Sequence, residues 1–373
     1  MWTPLLVACT VPPTGPAVRT APTAVSTSPS VPEDPTTQSP TESTSVGTTP
    51  PLVTTGELTV LYVATDGSDD RDGATPETAL ATLQAANDLL LATPADTDVE
   101  IRVAPGTYVG QRVTWTATHP DHVTRVSAFP ADGRRPVFDG QGASVFFDVQ
   151  VPTGEYTNVW VESLEVTDYT MIGIHFTGDP NDEAGWNGGN KVTNCRIART
   201  GNAFHAAGVG YGAIDLANSR ENTIEGNEIV DAANEGTDGV LMHGVYLVWW
   251  SRNNLITRNT FTRVSGDPLR ARDESNDNEF LDNVFDTTGD VAIYSDWFCD
   301  HDTRDDCTKP TAECPSWGNA VKYNDLGCGY DGAHVLPFSY AHGVDYVPSG
   351  CVDHAAVDGW VRLTTASNVD LCP

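Results

Sequence analysis

Arg270 and Arg272 alternate with apolar residues in the segment Pro268-Leu269-Arg270-Ala271-Arg272-Asp273. That is the pattern of a strand with apolar side chains inward and guanidinium groups outward. Earlier segments read the same way: Ile172-Gly173-Ile174-His175-Phe176-Thr177, Ala213-Ile214-Asp215-Leu216 and Gly244-Val245-Tyr246-Leu247-Val248. With their apolar residues on one core, His175, Asp215, Tyr246 and Arg270 stack into one outward column. A neighbouring column would hold Val248, Arg272 and Tyr294, the last taken from Val291-Ala292-Ile293-Tyr294-Ser295-Asp296. An arginine grips a carboxylate with two parallel hydrogen bonds. Tyr246 or His243 beside it could then move a proton next to the neutralised acid. Arg252, Arg258, Arg263, Arg270 and Arg272 lie in a 21-residue stretch whose one acid is Asp267, so a basic patch for an anionic ligand is expected. The structural alternative pairs Arg270 and Arg272 with Asp267, Asp273 or Asp296.

Such columns require stacked, repeating strands, and the chain repeats. Asn190-Val192-Cys195-Ile197, Asn222-Ile224-Asn227-Ile229, Asn254-Ile256-Asn259-Phe261, Asn278-Phe280-Asn283-Phe285 and Asn319-Val321-Asn324-Leu326 share one spacing, at steps of 32, 32, 24 and 41 residues. Coils of roughly two dozen residues with variable loops account for these steps. The asparagines are expected to stack at coil corners, their amides satisfying one another and the bending backbone. Cys195 holds an asparagine position and reads as a buried structural thiol, not a nucleophile. The long last step marks residues 297–318 as an insertion. Cys299, Cys307, Cys314, Cys328, Cys351 and Cys372 are expected to form three disulfides, with fifteen connectivities open. They lack CxxC spacing, so a zinc site is not expected there.

Upstream, Leu61-Tyr62-Val63-Ala64 reads as a strand, Asp66 to Gly73 as a turn, Ala81 to Leu90 as a helix with Leu83, Ala86 and Leu90 on one face, and Val99, Ile101 and Val103 as a strand running into Pro105-Gly106-Thr107-Tyr108. This order resembles the opening of pectate-lyase-like right-handed parallel β-helix proteins. The resemblance implies an all-β solenoid with an N-terminal capping helix, here with a cysteine-rich C-terminal cap over about 328–373. Ser68, Asp70, Asp72 and Gly73 have the alternating spacing of a Ca²⁺ loop, but position 79 is Ala where a bidentate Glu would stand; a plain turn is the other reading.

The formal net charge is -31, which argues against nucleic acid as a partner. Residues 10–56 are rich in Pro, Thr and Ser and read as a disordered stalk before a domain at 57–373. Leu6-Val7-Ala8-Cys9, in the segment 1–9, is similar to a bacterial lipobox, which implies lipidation at Cys9, a membrane contact through that anchor and an extracellular or envelope location.

The resemblance implies a polysaccharide ligand and, from the arginines, an anionic one. A lyase would use Arg270 or Arg272 to neutralise a uronate, with Tyr246 or His243 moving the proton; Asp215 is a further catalytic candidate in the same column. His175, Trp186, His205 and Tyr294 would contact the polymer, Trp186 by stacking on a sugar ring. The loops Gly178–Gly189, Asn202–Tyr211 and Asp231–Met242, with Glu235 and Asp238 in the last, would wall the groove. A glycoside hydrolase needs paired carboxylates, for which Asp215, Asp267, Asp273, Asp290 and Asp296 are candidates. A non-catalytic carbohydrate-binding surface protein, expected as a monomer like the enzymes, is the third class. Trp249 is read as packing inward at a corner, covered by Trp250.

Overall fold

A computed structural model describes residues 58–201, 210–234, 240–305, 307 and 312–373. The expectations for the stalk, for Cys9, and for His205, Glu235 and Asp238 lie outside these residues. Three long sheets run side by side, of ten, nine and eight strands, with a small three-stranded sheet at one corner. Each turn of chain contributes a strand to each long sheet, and every strand pairs in parallel with its equivalent one coil away. The interior is filled by in-register apolar stacks. Val192, Ile224, Ile256, Phe280 and Val321 form one, and Ile197, Ile229, Phe261, Phe285 and Leu326 another, all nearly inaccessible to solvent. The rings of Phe261 and Phe285 stack at 4.9 Å.

Two asparagine ladders hold the corners. In the first, Asn190, Asn222, Asn254 and Asn278 each donate backbone N–H and side-chain Nδ2 to the Oδ1 of the next, ending on Asn319, at 2.8–3.1 Å. In the second, Asn227, Asn259, Asn283 and Asn324 do the same and end on Asn368, one rung beyond the sequence repeat. The residue before each second-ladder position has positive φ: Asn194, Gly226, Arg258, Asp282, Tyr323 and Ser367. A left-handed residue costs an L side chain roughly 1–2 kcal/mol. The corner tolerates it because the following amide bonds on both sides. Cys195 takes the expected rung: its N–H reaches Asn227 Oδ1 at 2.9 Å, and its buried thiol meets the Val161 carbonyl at 3.6 Å.

At the N-terminal end the helix Leu83–Ala92 closes the solenoid. Thr82 caps it, accepting the Ala85 N–H, and Leu83, Ala86, Asn87 and Leu90 face the core. At the other end the disulfides pair Cys299 with Cys307, Cys314 with Cys351 and Cys328 with Cys372. They tie the insertion and the cap to the last coils. Arg362 from the cap enters the last coil and forms a fully buried ion pair with Asp296, flanked by the rings of Trp317 and Tyr340.

Asn259 donates to Ile224 O and Asn283 and accepts twice from Asn227. Asn259→Ala strands these buried groups and is expected to cost on the order of 2–4 kcal/mol. Cys195→Asn works in the other direction. It replaces a weak sulfur contact with amide bonds and is expected to add about 1 kcal/mol. Urea unfolding of both variants measures this; a neutral Asn259→Ala would show the ladder to be dispensable.

Candidate functional site

The eight-stranded sheet carries the expected column. Along it Thr114, Asp148, His175, Asp215, Tyr246, Arg270, Ser295 and Ser339 stand in register on consecutive strands. The pleat turns the alternating apolar residues inward, so these side chains point away from the core. Asp148 was not singled out in the sequence, because Phe146-Phe147-Asp148-Val149 lies before the asparagine repeat begins. It holds His175 Nδ1 at 3.3 Å and accepts the Thr177 hydroxyl at 2.8 Å. Burial pushes the His175 imidazole below its usual range, opposed by Asp148. Burial pushes the Asp215 carboxyl well above the usual carboxylate range, and the Gly212 N–H donates to it at 2.6 Å.

The strongest constellation is His243, Tyr246 and Arg270. His243 Nδ1 lies 2.7 Å from the Asp267 carbonyl oxygen. A carbonyl only accepts, so Nδ1 carries the proton and Nε2 presents its lone pair. Burial, then the nearby Arg270 charge, pushes the His243 pKa down to about 3, so the ring is neutral at any ordinary pH. The Tyr246 hydroxyl accepts from Arg272 Nη1 at 3.0 Å, which leaves its own proton to point elsewhere. Burial raises its pKa. A Cβ placed on Gly210 would lie 3.7 Å from that hydroxyl and 3.9 Å from His243 Nε2, so the two groups converge on one point that, among the described residues, glycine leaves open. One coil on, Arg270 donates to Asp267 at 3.3 Å, while its Nε, and the hydroxyl of the adjacent Ser295, are buried with no partner among the described residues.

Several expectations are corrected. The arginine-rich stretch is not a basic patch, because each arginine meets a carboxylate: Arg252 with Glu183, Arg258 with Glu225, Arg263 with Asp231, Arg270 with Asp267, and Arg272 with Glu313. The two Arg272–Glu313 bonds, at 2.7 and 2.6 Å, occupy the fork expected to grip a ligand. Glu313 comes from the insertion, and no spacing in the sequence connects it to Arg272. Tyr294 does not share the Arg272 column. It pairs with Leu269, points inward and accepts from the ladder on the core side, Asn319 Nδ2 donating to its hydroxyl at 2.9 Å; Trp297 pairs with Arg272 instead. Asp296 also faces inward, against Arg362. Trp186 sits at the next corner, edge-on to Tyr156 at 5.2 Å and under Arg220. Trp249 packs on the outer cluster of Ala217, Tyr246 and Val248, not inside the coil. In the Asp66–Gly73 turn, Asp69 accepts the Ala81 and Thr82 N–H groups and Asp72 accepts that of Ala74.

A family model described as a right handed beta helix region matches residues 154–300. The structure is a right-handed parallel β-helix. An alginate lyase from Paenibacillus sp. str. FPU-7 superposes on this β-helix with a TM-score of 0.50 at 12% identity, covering 78% of this chain and 92% of that one. Pectate lyase Pel9A gives 0.40 at 14%, over 74% and 64%. A tailspike protein of E. coli bacteriophage HK620, bound to a pentasaccharide, gives 0.39 at 12%, over 80% and 56%. At these identities the likeness is one of fold. No curated protein matches the sequence.

Glu313→Ala leaves the Arg272 charge buried without its counter-ion and is expected to destabilise the β-helix by roughly 3–5 kcal/mol. Thermal or urea unfolding checks this. A small loss would mean that the remaining contacts of the guanidinium, those with Tyr246 and Trp297 among them, suffice to hold it.

Proposed function

We propose that this β-helix is an exported carbohydrate-active enzyme that cleaves a uronate-containing polysaccharide by β-elimination. The observation that carries the reading is the convergence of a neutral imidazole and a protonated phenol beside Arg270, whose Nε has no partner among the described residues. Arg270, with Ser295, would bind the uronate carboxylate and stabilise the charge that grows on it. His243 Nε2 would remove the proton on the carbon next to that carboxylate. Tyr246 would protonate the glycosidic oxygen as it leaves. The C–H and C–O bonds break, a C=C bond forms in the new terminal sugar, and the proton balance closes between the two residues. The three disulfides fit an oxidising compartment, in keeping with export.

The test is a panel of polysaccharides followed by ultraviolet absorbance of the unsaturated uronate product. Arg270→Ala and Tyr246→Phe are each expected to lower turnover on the order of 10²-fold or more with the melting temperature little changed for Tyr246→Phe. Arg270→Lys is expected to restore little, since an ammonium lacks the planar two-bond grip. Gly210→Ala places a methyl at the convergence point and is expected to block the reaction in a folded protein. Unchanged turnover per folded molecule in Arg270→Ala would remove this face from the chemistry.

The pH dependence follows from His243. Its folded pKa is depressed to about 3, below the unfolded value, so protonation opposes both folding and activity. Its contribution to stability is complete above the ordinary histidine range and is lost as pH falls towards about 3. The acid limb of kcat/KM should therefore lie well below that range. A limb with a midpoint near the ordinary histidine value would exclude His243 as the base.

A second reading rests on Asp148 and Asp215. They share the column two coils apart, a backbone separation of roughly 9–10 Å at about 4.8 Å per strand. Inverting glycosidases place their carboxyls about 6.5–9.5 Å apart, with the acid kept protonated, as burial favours for Asp215. New reducing ends without the ultraviolet signal, abolished in Asp148→Asn and Asp215→Asn, would favour hydrolysis. Binding without product would favour a non-catalytic lectin-like role.

A further inference from the structure

A second group of chemically capable residues lies at the opposite, N-terminal end of the solenoid. Asp96 follows the capping helix, in the link to the strand Val99–Val103. His119 and His122 belong to the loop between the strands Val113–Trp115 and Thr124–Ala128. One donor atom from each of Asp96, His119 and His122 lies within 4.8 Å of the others. Asp96 Oδ1 is 3.7 Å from His122 Nε2, and the two imidazole rings are 4.5 Å apart. We infer that Asp96, His119 and His122 bind one borderline divalent transition ion of the Zn²⁺ class, which clips the capping helix to the first coils.

The ligand chemistry selects the ion. Two imidazoles and one carboxylate suit Zn²⁺ and its neighbours, whereas Ca²⁺ and Mg²⁺ demand oxygen donors. Tetrahedral zinc with bonds of about 2.0–2.1 Å needs donors roughly 3.3 Å apart, so a group whose donors lie within 4.8 Å must close by up to about 1.5 Å. Asp96 is fully exposed at the tip of its link and can swing in. The histidine loop is already held. Asn87 Oδ1, buried on the helix, accepts the N–H groups of Thr116 and Ala117 at 2.8 and 3.0 Å. Asn158 Nδ2 donates to the Pro120 carbonyl, and Asp98 accepts the Val123 N–H. Asp98 also faces His122 Nδ1 at 3.8 Å, on the side of the ring away from Asp96. A carboxylate there favours the tautomer with the proton on Nδ1, leaving Nε2 for the ion. The weak bond from the Asp121 N–H to His119 Nδ1, at 3.2 Å, is what binding gives up. Coordination through Nδ1 replaces it directly, and coordination through Nε2 moves the ring proton onto Nδ1. A cavity of about 110 Å³ beside the loop, lined by Leu90, Leu91, Pro94, Val99 and Thr116, gives the link room to shift.

The full-length protein, stripped with a chelator, is titrated with Zn²⁺ by calorimetry and melted with and without it. Co²⁺ replaces Zn²⁺ for visible absorbance. One equivalent should bind and raise the melting temperature, because the ion joins segments that separate on unfolding. Co²⁺ should give the visible bands of a low-coordinate N/O site. His119→Ala, His122→Ala and Asp96→Asn should each weaken binding on the order of ten-fold or more, at least the effect of losing an outer-shell partner. Asp96 is exposed, whereas His119 and His122 are partly buried, so the apo melting temperature of each variant is measured alongside and binding is read on folded protein. His334→Ala and His354→Ala, which alter other surface histidines set beside carboxylates, should leave binding unchanged. Absence of binding, or binding that survives His119→Ala and His122→Ala, overturns the inference.

Discussion

A coil that bends at its corners turns backbone N–H groups towards an interior that water does not reach, and each must find an acceptor. The asparagine ladders meet that demand by making one side chain serve two coils. Its oxygen takes the N–H and the amide of the coil before, and its own nitrogen donates to a carbonyl of that coil and to the asparagine of the coil after. The corners can then use left-handed residues with bulky side chains, such as Arg258 and Tyr323, that would be costly elsewhere. With the corners set, strand register follows in all three sheets, and with register come the outward columns.

The candidate face inherits its precision from this stacking. His243, Tyr246 and Arg270 come from two consecutive coils, and no loop has to fold back to bring them together. Their protonation states come from burial, acting differently on each: it keeps the imidazole neutral and the phenol protonated. Charge near the site is held closely. Arg272 is locked by Glu313 from the insertion and in turn orients the Tyr246 hydroxyl. The cysteine-rich insertion thus bears on the site as well as on the cap. The cap itself is anchored by Arg362 on Asp296, an ion pair inside the last coil.

Much of this was legible in the chain. The asparagine spacing marked the ladders, and the alternation around His175, Asp215, Tyr246 and Arg270 placed them in one column, because inward and outward residues alternate with a period of two. Cys195 read as a buried thiol for the same reason. Tyr294 was misplaced because its coil lies before the longest insertion, where no repeat fixes the register. The arginine-rich stretch looked basic because local sequence does not contain Glu183, Glu225 and Glu313, which lie 69, 33 and 41 residues from their partners Arg252, Arg258 and Arg272.

The sequence by itself determined the solenoid, its ladders, its capping helix and the cysteines that close it. These depend on interactions repeated at fixed spacing, and a repeat can be read without coordinates. Tertiary structure alone decided which charges cancel, which cysteines pair, and which atoms converge over Gly210. Those outcomes depend on distances between coils and an insertion of irregular length, where separation along the chain carries no information about separation in space.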